Sequence, residues 1–410
     1  MSNIKLTKIE VANYRSCVST EFEPNDGLTA LIGPNGSGKT NILSAFQLLA
    51  SMPYAMRSNI YRRQTEDPFS SACSIKVKFL WCGKPIYYEA SINLVNNERN
   101  EDEIISANEK WMLFSITGSK KKLPLSIEYF GPEYSMSPRS KRNHGVAEYI
   151  ANYYGDEGIA ENVMVALSDV LKFIKNVTYY SASIFTNPSS CPISFEVESE
   201  RGARRGISIT GHKKFLYDLY SSYKSASEEY EQFLDLVGPE GVNLIDGIAF
   251  QEIETSSSSY KVSVGGRITT KEKKNNLIIP NFLISENALS PSQLSEGTFR
   301  TLALVFYLIT DKGSLMLIEE PEVCVHHGLL SSIIELIKMY SKDKQIIIST
   351  HSDQILDSLD LESLFKVSRG VAGTTVQNVR RSLSSDDLKA LKDYLRDEGG
   401  LGEYWKHGEL

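Results

Sequence analysis

The chain has 410 residues, of which 41% are hydrophobic and 23% charged, and its formal net charge is −7. These values are ordinary for a globular protein with a sizeable core, and the charge does not indicate a dedicated nucleic-acid coat, although local basic patches remain compatible with it. No apolar run reaches the length of a membrane span, the N-terminus has no secretory h-region, and the five cysteines lack metal-ligand spacing. We therefore expect a cytoplasmic protein in a reducing compartment, with no membrane contact.

The first predicted elements are short strands within residues 4–32, followed by a glycine-rich loop and a helix. The apolar run at 28–32 ends directly in GPNGSGKT, and apolar residues from Ile42 onward then recur at helical spacing. The octet fits G-x-x-x-x-G-K-[ST], in which backbone N–H groups and a helix N-terminus surround a phosphate. The flanking strand and helix disfavour the alternative, a chance glycine-rich turn.

This loop assigns roles to individual side chains. We expect Lys39 to reach the β and γ phosphates of a nucleotide, and the hydroxyl of Thr40 to bind Mg²⁺. The other loop residues predicted to bind the nucleotide are Asn35, Gly36, Ser37 and Gly38.

The middle of the chain, roughly residues 110–290, is less clearly patterned. Residues 74–94, just before it, predict a hairpin around Cys82-Gly83, residues 213–237 predict a pair of helices, and residues 260–271 predict a second hairpin. Basic clusters in this region are either solvated loops or a basic face that follows a nucleic-acid backbone. These clusters are Lys120–Lys122; Arg139, Lys141 and Arg142; Arg201, Arg204 and Arg205; and Lys271, Lys273 and Lys274.

The last third alternates helices with continuous apolar strands, which predicts a parallel sheet covered on both faces. The LSEGT turn places Ser295 and Gly297 at a helix N-terminus, either as a second anion site or as an ordinary N-cap. One strand ends at Glu319 and Glu320, and a later one is followed by His351. The carboxyl ends of parallel strands converge on one crevice, so we expect these three residues to meet Lys39 there, with His351 as a sensor of the γ-phosphate.

Four motifs together carry a family resemblance. GPNGSGKTN, LSEGT, LMLIEEPE and STHS resemble the Walker A, signature, Walker B and switch-histidine motifs of ABC-type ATPase heads in the SMC/RecF/OLD-like group, and IEVANYRS resembles the start common there. The specific match covers about residues 4–50 and 290–355. It implies an α/β P-loop NTPase of ABC-ATPase type, with a mixed sheet, flanking helices and an inserted arm or lid region.

The resemblance also implies a division of the chain. Residues 1–110 would form an N-terminal lobe of the ATPase head with Walker A, residues 111–290 a partly helical inserted arm or lid, and residues 291–410 a C-terminal lobe with the other three motifs.

In this group two heads dock head-to-tail, so the resemblance implies a homodimer or higher oligomer with ATP and Mg²⁺ as cofactors. Ser295 and Gly297 of one copy would close on the γ-phosphate held by the other copy's loop, which Asn41 extends. Glu319 replaces the usual aspartate and would act on Mg²⁺ through a water, while Glu320 would be the general base for the attacking water. Lys39 and His351 complete the predicted catalytic set.

Two further residues after Walker B are implied to face the partner head, namely Glu322 and His326; the alternative for His326 and His327 is a solvated turn. No Q-loop glutamine is assigned.

Other classes of ATPase fit less well. Transporter subunits place the signature much closer to Walker A, full SMC heads need long heptad arrays, and GTPases need an N-K-x-D motif. An OLD nuclease would carry a TOPRIM domain after the switch histidine, where we find no convincing Asp/Glu cluster. We therefore expect an ATPase without its own nuclease domain that senses for or regulates a separately encoded nuclease or effector in anti-phage defence. The alternative is a RecF-like DNA-binding ATPase of repair or recombination.

Overall fold

The computed structural model describes residues 4–51, 72–96, 102–114, 122–130, 157–198, 211–262, 268–323, 325, 327–397 and 399–406. The chain divides into two compact units that are interleaved along the sequence. Unit 1 comprises Met1–Tyr179, Lys312–Glu320 and Ile337–Leu410, and unit 2 comprises Tyr180–Asp311 and Pro321–Leu336. The predicted three-part division at residues 110 and 290 stays a prediction. None of the described helices is long and apolar enough to cross a membrane.

An antiparallel sheet forms the first layer of unit 1. Its strand order is β2-β1-β4-β5-β6-β7. The hairpin predicted at 74–94 is confirmed, because β4 and β5 pair antiparallel around Cys82-Gly83. The strands are β1 (Ile4–Tyr14), β2 (Cys17–Phe22), β4 (Ala72–Trp81), β5 (Lys84–Asn96), β6 (Asp102–Phe114) and β7 (Lys122–Phe130).

The second sheet carries the predicted parallel strands. Its order is β16-β15-β3-β14-β13-β8, in which β3 runs parallel to both of its neighbours, β14 and β15, and β13 runs parallel to β14. Strand β16 is antiparallel to β15, so the sheet is mixed, as expected. Every residue of β3 and β14 is buried, which explains why these strands are not alternating in sequence. The strands are β3 (Leu28–Ile32), β8 (Thr178–Ser181), β13 (Leu315–Glu319), β14 (Gln345–Thr350), β15 (Leu364–Gly370) and β16 (Gly373–Asn378).

Helices complete unit 1. Buried side chains of α1, among them Phe46, belong to one apolar core with those of α2 and of the antiparallel sheet. Ser384 caps helix α9 by accepting a hydrogen bond from the Asp387 backbone N–H at 3.2 Å. The helices are α1 (Lys39–Ser51), α2 (Glu157–Lys175), the end of α6 (His327–Tyr340), α7 (Asp353–Asp357), α8 (Val379–Ser382), α9 (Ser385–Asp397) and α10 (Leu401–Lys406).

One buried amide joins the two sheets of unit 1. The side chain of Gln345, at the start of β14, is buried, and its Oε1 accepts a hydrogen bond from the Leu6 backbone N–H at 2.8 Å. Its Nε2 donates to the carbonyl oxygens of Leu6 and Asn25, both at 2.9 Å. Strand β1 pairs with β2 only from Ile9 onward, so β2 provides no hydrogen-bond partner for the backbone of Leu6. The amide of Gln345 binds the N–H and the carbonyl of Leu6 instead.

Unit 2 is built on a long antiparallel hairpin and two helices. Strands β10 (Gly247–Val262) and β11 (Ile268–Ile284) form the hairpin, and β9 (Phe195–Glu198) and β12 (Asn287–Leu289) also pair with β11. The hairpin predicted at 260–271 is therefore confirmed, although its Gly-Gly turn lies outside the described residues. The predicted helical pair is confirmed as α3 (Gly211–Lys224) and α4 (Glu228–Val237).

A buried helix, α5 (Glu296–Thr310), carries the LSEGT turn at its start. Its apolar side chains meet aromatic residues of α3 and α4: the Phe215 and Phe299 rings are 5.3 Å apart, and the Phe233 and Phe306 rings 5.4 Å apart. Most side chains of α5 are buried, and the sequence of this helix accordingly has apolar residues on nearly every face.

Most of the basic clusters fall outside the described residues, namely Lys120, Lys121, Arg139, Lys141, Arg142, Arg201, Arg204 and Arg205. The remaining members lie in described strands, Lys122 in β7 and Lys271, Lys273 and Lys274 in β11. A nucleic-acid role for these clusters stays a prediction.

Candidate functional site

The glycine-rich loop links β3 to α1, as predicted. Gly38 has φ 108°, and a Cβ there would lie 2.3 Å from the Thr374 hydroxyl oxygen in β16. At Gly33 a Cβ would lie 2.4 Å from the carbonyl oxygen of Val367 in β15. Glycine is therefore needed at both positions, because the backbone of the loop lies directly against the neighbouring strands.

Lys39 is the first residue of α1 and is only 6% exposed. Its Nζ donates hydrogen bonds to the carbonyl oxygens of Gly33 at 2.6 Å and Pro34 at 3.3 Å. A buried ammonium needs such partners, since burying an unpaired charge is costly. The ammonium thus lies inside the loop, and its contact with β and γ phosphates stays a prediction, as do the nucleotide contacts of Asn35, Gly36, Ser37 and Gly38.

Three strand ends of the parallel sheet bring the predicted acidic and histidine residues to one edge. In the strand register, Glu319 lies beside Ser349, and Thr350 lies beside Ile32, the residue before the glycine loop. Glu320 directly follows Glu319 in the sequence, and His351 directly follows Thr350. This alignment follows from parallel pairing, because the carboxyl ends of adjacent parallel strands share one edge.

A hydrogen bond closes the junction between the loop and the acidic strand end. The Thr40 hydroxyl donates to Oε1 of Glu319 at 2.6 Å, across 279 residues of sequence. The other oxygen, Oε2, accepts a hydrogen bond from the hydroxyl of Tyr179 in β8. The two residues predicted to hold Mg²⁺ therefore lie in direct contact in the structure.

Glu320 and His351 form a second pair at the same edge. Nδ1 of His351 lies 3.6 Å from Oε1 of Glu320, and both side chains are partly exposed, 49% and 35%. The backbone of Glu320 is in the left-handed region at φ 46°, and its N–H donates to the carbonyl of Ser349 at 2.9 Å. Non-glycine residues adopt this conformation at an energetic cost, and such residues cluster at functional sites.

A polar network behind the loop was not predicted from the sequence. Ser16, the last residue of IEVANYRS, accepts hydrogen bonds at its Oγ from Asn41 at 2.6 Å and from Thr374 at 2.8 Å. The Thr374 hydroxyl oxygen also lies 3.2 Å from the carbonyl oxygen of Ser37. Asn41, predicted to bind the nucleotide, thus supports the loop through Ser16, and its nucleotide contact stays a prediction.

Two buried cysteines near this network, Cys17 and Cys73, have thiols of low reactivity. Burial raises the pKa of the Cys73 thiol to about 12 and also raises the pKa of the Cys17 thiol. Both thiols are therefore protonated at neutral pH, and both side chains pack in the apolar core of unit 1.

In the described part of the chain, the side-chain contacts of the signature turn of unit 2 are to residues within one helical turn. Ser295 is the N-cap of α5, and its Oγ accepts a hydrogen bond from the Thr298 N–H at 3.1 Å. Glu296 pairs with the buried guanidinium of Arg300 one turn later. The N-cap interpretation is thus confirmed, and the proposed anion contact of Ser295 and Gly297 stays a prediction. The sequence offered no sign of the Arg300 pair beyond its i,i+4 spacing.

Not every predicted side chain can be placed. His326 lies outside the described residues, and His327 begins α6. The idea that Glu322 and His326 face a partner head stays a prediction.

Comparisons with known proteins agree with this geometry. The chain matches the family model of the AAA ATPase domain over residues 4–356. It is 23% identical to the Old nuclease of Escherichia phage P2 over 413 residues, a match that covers 95% of this chain and 62% of that protein. Shorter matches are to the DNA replication and repair protein RecF of Chlorobium luteolum, 47% identical over 47 residues, and to the DNA double-strand break repair Rad50 ATPase of Methanopyrus kandleri, 43% over 53 residues. They cover 12% and 13% of this chain, and 13% and 6% of those proteins.

The solved structures similar to the chain include SMC heads. The SMC head domain from Thermotoga maritima has TM-score 0.39 and 12% identity, covering 92% of this chain and 99% of that one. The Smc head domain with an extended coiled coil bound to the C-terminal domain of ScpA, from Pyrococcus furiosus, has TM-score 0.43 and 14% identity, covering 96% and 100%. The chain spans less than two thirds of the length of the curated relatives that it matches. With its family match over residues 4–356 and its Walker A and Walker B residues in contact, the chain belongs to the AAA ATPase domain family, as an ABC-type ATPase of the SMC/RecF/OLD group.

Proposed function

We propose that this chain binds ATP with Mg²⁺ and hydrolyses it at composite sites between two copies docked head-to-tail. The observation that carries the first half of this proposal is the 2.6 Å hydrogen bond between Thr40 and Glu319. It joins the phosphate-binding loop to the acidic strand end, the two parts that a P-loop ATPase needs side by side.

The donors present at this junction suit Mg²⁺. A threonine hydroxyl and a carboxylate are hard oxygen ligands, and Mg²⁺ is commonly held by one or two such protein groups together with phosphates and waters. Thr40 and Glu319 would hold the ion. When bound there, Mg²⁺ supplies charge neutralisation on the phosphates of the nucleotide.

The remaining roles belong to the residues of the shared edge. The N–H groups of the loop and the ammonium of Lys39 bind the phosphates. The carboxylate of Glu320 orients the attacking water and accepts its proton. His351, with Nδ1 3.6 Å from that carboxylate, orients Glu320 and contacts the γ-phosphate.

The second half of the site comes from the other copy. Ser295 and Gly297 lie at the N-terminus of a 15-residue helix, where the helix dipole and the backbone N–H groups favour an anion. The side chain of Ser295 is exposed, so a partner copy can reach it. We propose that this turn closes on the γ-phosphate held by the partner, which makes dimerisation ATP-dependent.

The biological role that we propose is regulation of a nuclease or other effector in anti-phage defence. Support comes from the Old nuclease of phage P2, whose match extends over 95% of this chain, including the middle region. The proposed effector is a separate protein. Within the described ranges, no group of three or more His, Cys, Asp or Glu residues is arranged to hold a metal ion. Incubating the purified chain with DNA and Mg²⁺ or Mn²⁺ tests this part, and robust cleavage by the chain alone would contradict it.

The RecF-like role in repair or recombination is the second candidate. Its support is the high identity to RecF proteins, but this is confined to 47 residues in the match from Chlorobium luteolum. DNA binding that weakens steeply with salt and is stimulated by ATP would favour this role over the regulation of an effector.

The ATPase proposal is tested with Lys39→Ala. We expect loss of ATP binding by calorimetry and loss of ATP-dependent dimerisation by size-exclusion chromatography, because the phosphates lose their buried cation. The matched control is Lys342→Ala, an exposed lysine that follows α6. Wild-type affinity for ATP in Lys39→Ala would refute the assignment of the loop.

A further inference from the structure

The acidic strand end differs from the usual pattern at its first residue, where Glu319 replaces aspartate. Its side chain has one more rotatable bond, so its carboxylate samples more positions unless something restrains it. A metal ligand has to be held in a defined orientation to bind well. The structure shows which group provides that restraint.

Tyr179 lies in β8, the strand next to β13 at the end of the sheet. Its hydroxyl donates a hydrogen bond to Oε2 of Glu319, while Oε1 of the same carboxylate accepts the hydrogen bond from Thr40. The two oxygens thus have different partners, because Oε1 faces the glycine-rich loop and Oε2 faces Tyr179. Both contacts lie within unit 1.

We propose that Tyr179 is a positioning residue for Mg²⁺ binding, acting through Glu319. The phenol takes Oε2 and keeps Oε1 directed at Thr40, where the metal site is assigned. A carboxylate can accept several hydrogen bonds at once, so the phenol does not use up the oxygen that the metal needs. This inference rests on the ATP and Mg²⁺ function proposed above and deepens it.

Tyr179 has a plain alternative role as a packing residue of an edge strand. A tyrosine-to-phenylalanine change separates the two, because Tyr179→Phe keeps the ring and removes only the hydroxyl. A packing role predicts no change in metal dependence. A positioning role predicts weaker metal binding with little change in nucleotide binding when metal is absent.

The experiment measures binding of a fluorescent ATP analogue, first in EDTA and then during titration with Mg²⁺. In Tyr179→Phe we expect the Mg²⁺ concentration for half-maximal effect to rise about tenfold, the lower end of the range for groups that orient metal ligands. Affinity in EDTA should stay within twofold of wild type. Direct binding of Mn²⁺ to the nucleotide complex, measured by electron paramagnetic resonance, should weaken in parallel. The matched control is Tyr223→Phe, a partly exposed tyrosine of unit 2.

A second variant tests whether the effect passes through Glu319. In Glu319→Asp the shorter carboxylate no longer reaches the phenol, so adding Tyr179→Phe should change the Mg²⁺ midpoint by less than twofold. An equal tenfold effect in both backgrounds, or no shift of the midpoint in Tyr179→Phe alone, would overturn the inference. Failure of the proposed function looks different, because the wild-type chain would then show no Mg²⁺-dependent nucleotide binding at all.

Discussion

In unit 1 the carboxyl ends of the parallel strands form an edge beside the start of α1, and in unit 2 the signature turn starts α5, but the range of the polar contacts differs between the two places. At the edge, Thr40 binds Glu319 from far along the chain. At the turn, Ser295 binds Thr298, and Glu296 binds Arg300, all within one helical turn. The edge is therefore assembled by the fold, whereas the turn is complete as soon as its helix forms. Substitutions at the edge should therefore affect both ATP turnover and folding stability. Substitutions at the turn should mainly affect contacts with another molecule.

The largest effect expected at the edge is that of Glu320→Gln. The change keeps the shape of the side chain but removes the proposed proton acceptor, and general bases contribute about 10²- to 10⁴-fold to rate. We expect turnover of ATP to fall by about 10³-fold while ATP binding is kept, so an ATP-bound dimer should accumulate in size-exclusion chromatography. Glu362→Gln, at an exposed glutamate, is the control. Hydrolysis at the wild-type rate would remove Glu320 from the mechanism.

The comparison is tested most directly by Ser295→Arg at the turn. A bulky cation there should block the approach of a partner copy, so we expect turnover to fall about 100-fold with ATP affinity unchanged, similar to the loss of one transition-state contact. The same substitution at Ser225, an exposed serine between α3 and α4, is the matched control. If Ser295→Arg keeps wild-type turnover, the turn serves only as a helix cap and the composite site is wrong.

The long-range character of unit 1 predicts a large stability effect at Gln345. Gln345→Leu removes three hydrogen bonds and leaves the N–H and carbonyl of Leu6 and the carbonyl of Asn25 without this partner. We expect the free energy of unfolding to fall by about 2 to 6 kcal/mol, because the two groups of Leu6 are buried and each buried group left unsatisfied costs about 1 to 3 kcal/mol. The midpoint of urea unfolding measures it, and a change below about 0.5 kcal/mol would show that these groups find other partners.

The local counterpart in unit 2 is Ser227, the N-cap of α4. Its Oγ accepts a hydrogen bond from the Tyr230 N–H at 3.2 Å. Ser227→Ala should cost only about 1 kcal/mol, the usual value for loss of a cap. If both variants lowered the free energy of unfolding by the same amount in the same urea experiment, local and long-range contacts would not differ in their contribution to stability.

The sequence was informative where chemistry is encoded locally. The glycine loop, the acidic strand end and the histidine after β14 are short motifs, and the rule that parallel strand ends converge was enough to predict that they meet. Residues such as Tyr179, Thr374 and Gln345 could not be found in this way. Their roles depend on which strand lies beside which, and a tyrosine in a weakly patterned region carries no local sign that it will reach Glu319.

The interleaving of the two units was also beyond the sequence. Motif boundaries marked where the resemblance to ATPase heads was strong, but compactness depends on contacts between distant segments. Residues 321–336, for example, directly follow Walker B and belong to unit 2.

The position of β3 in its sheet has a consequence for how the protein is made. This strand is fully buried and mostly apolar, and its two neighbours are β14 and β15, roughly 300 residues later in the chain. At about 5 to 20 residues per second, β3 waits about 15 to 60 s for its partners after it has been synthesised. During that time an apolar strand with unpaired edges is available to other nascent chains. Chaperones that bind exposed apolar strands should therefore raise the yield of folded protein.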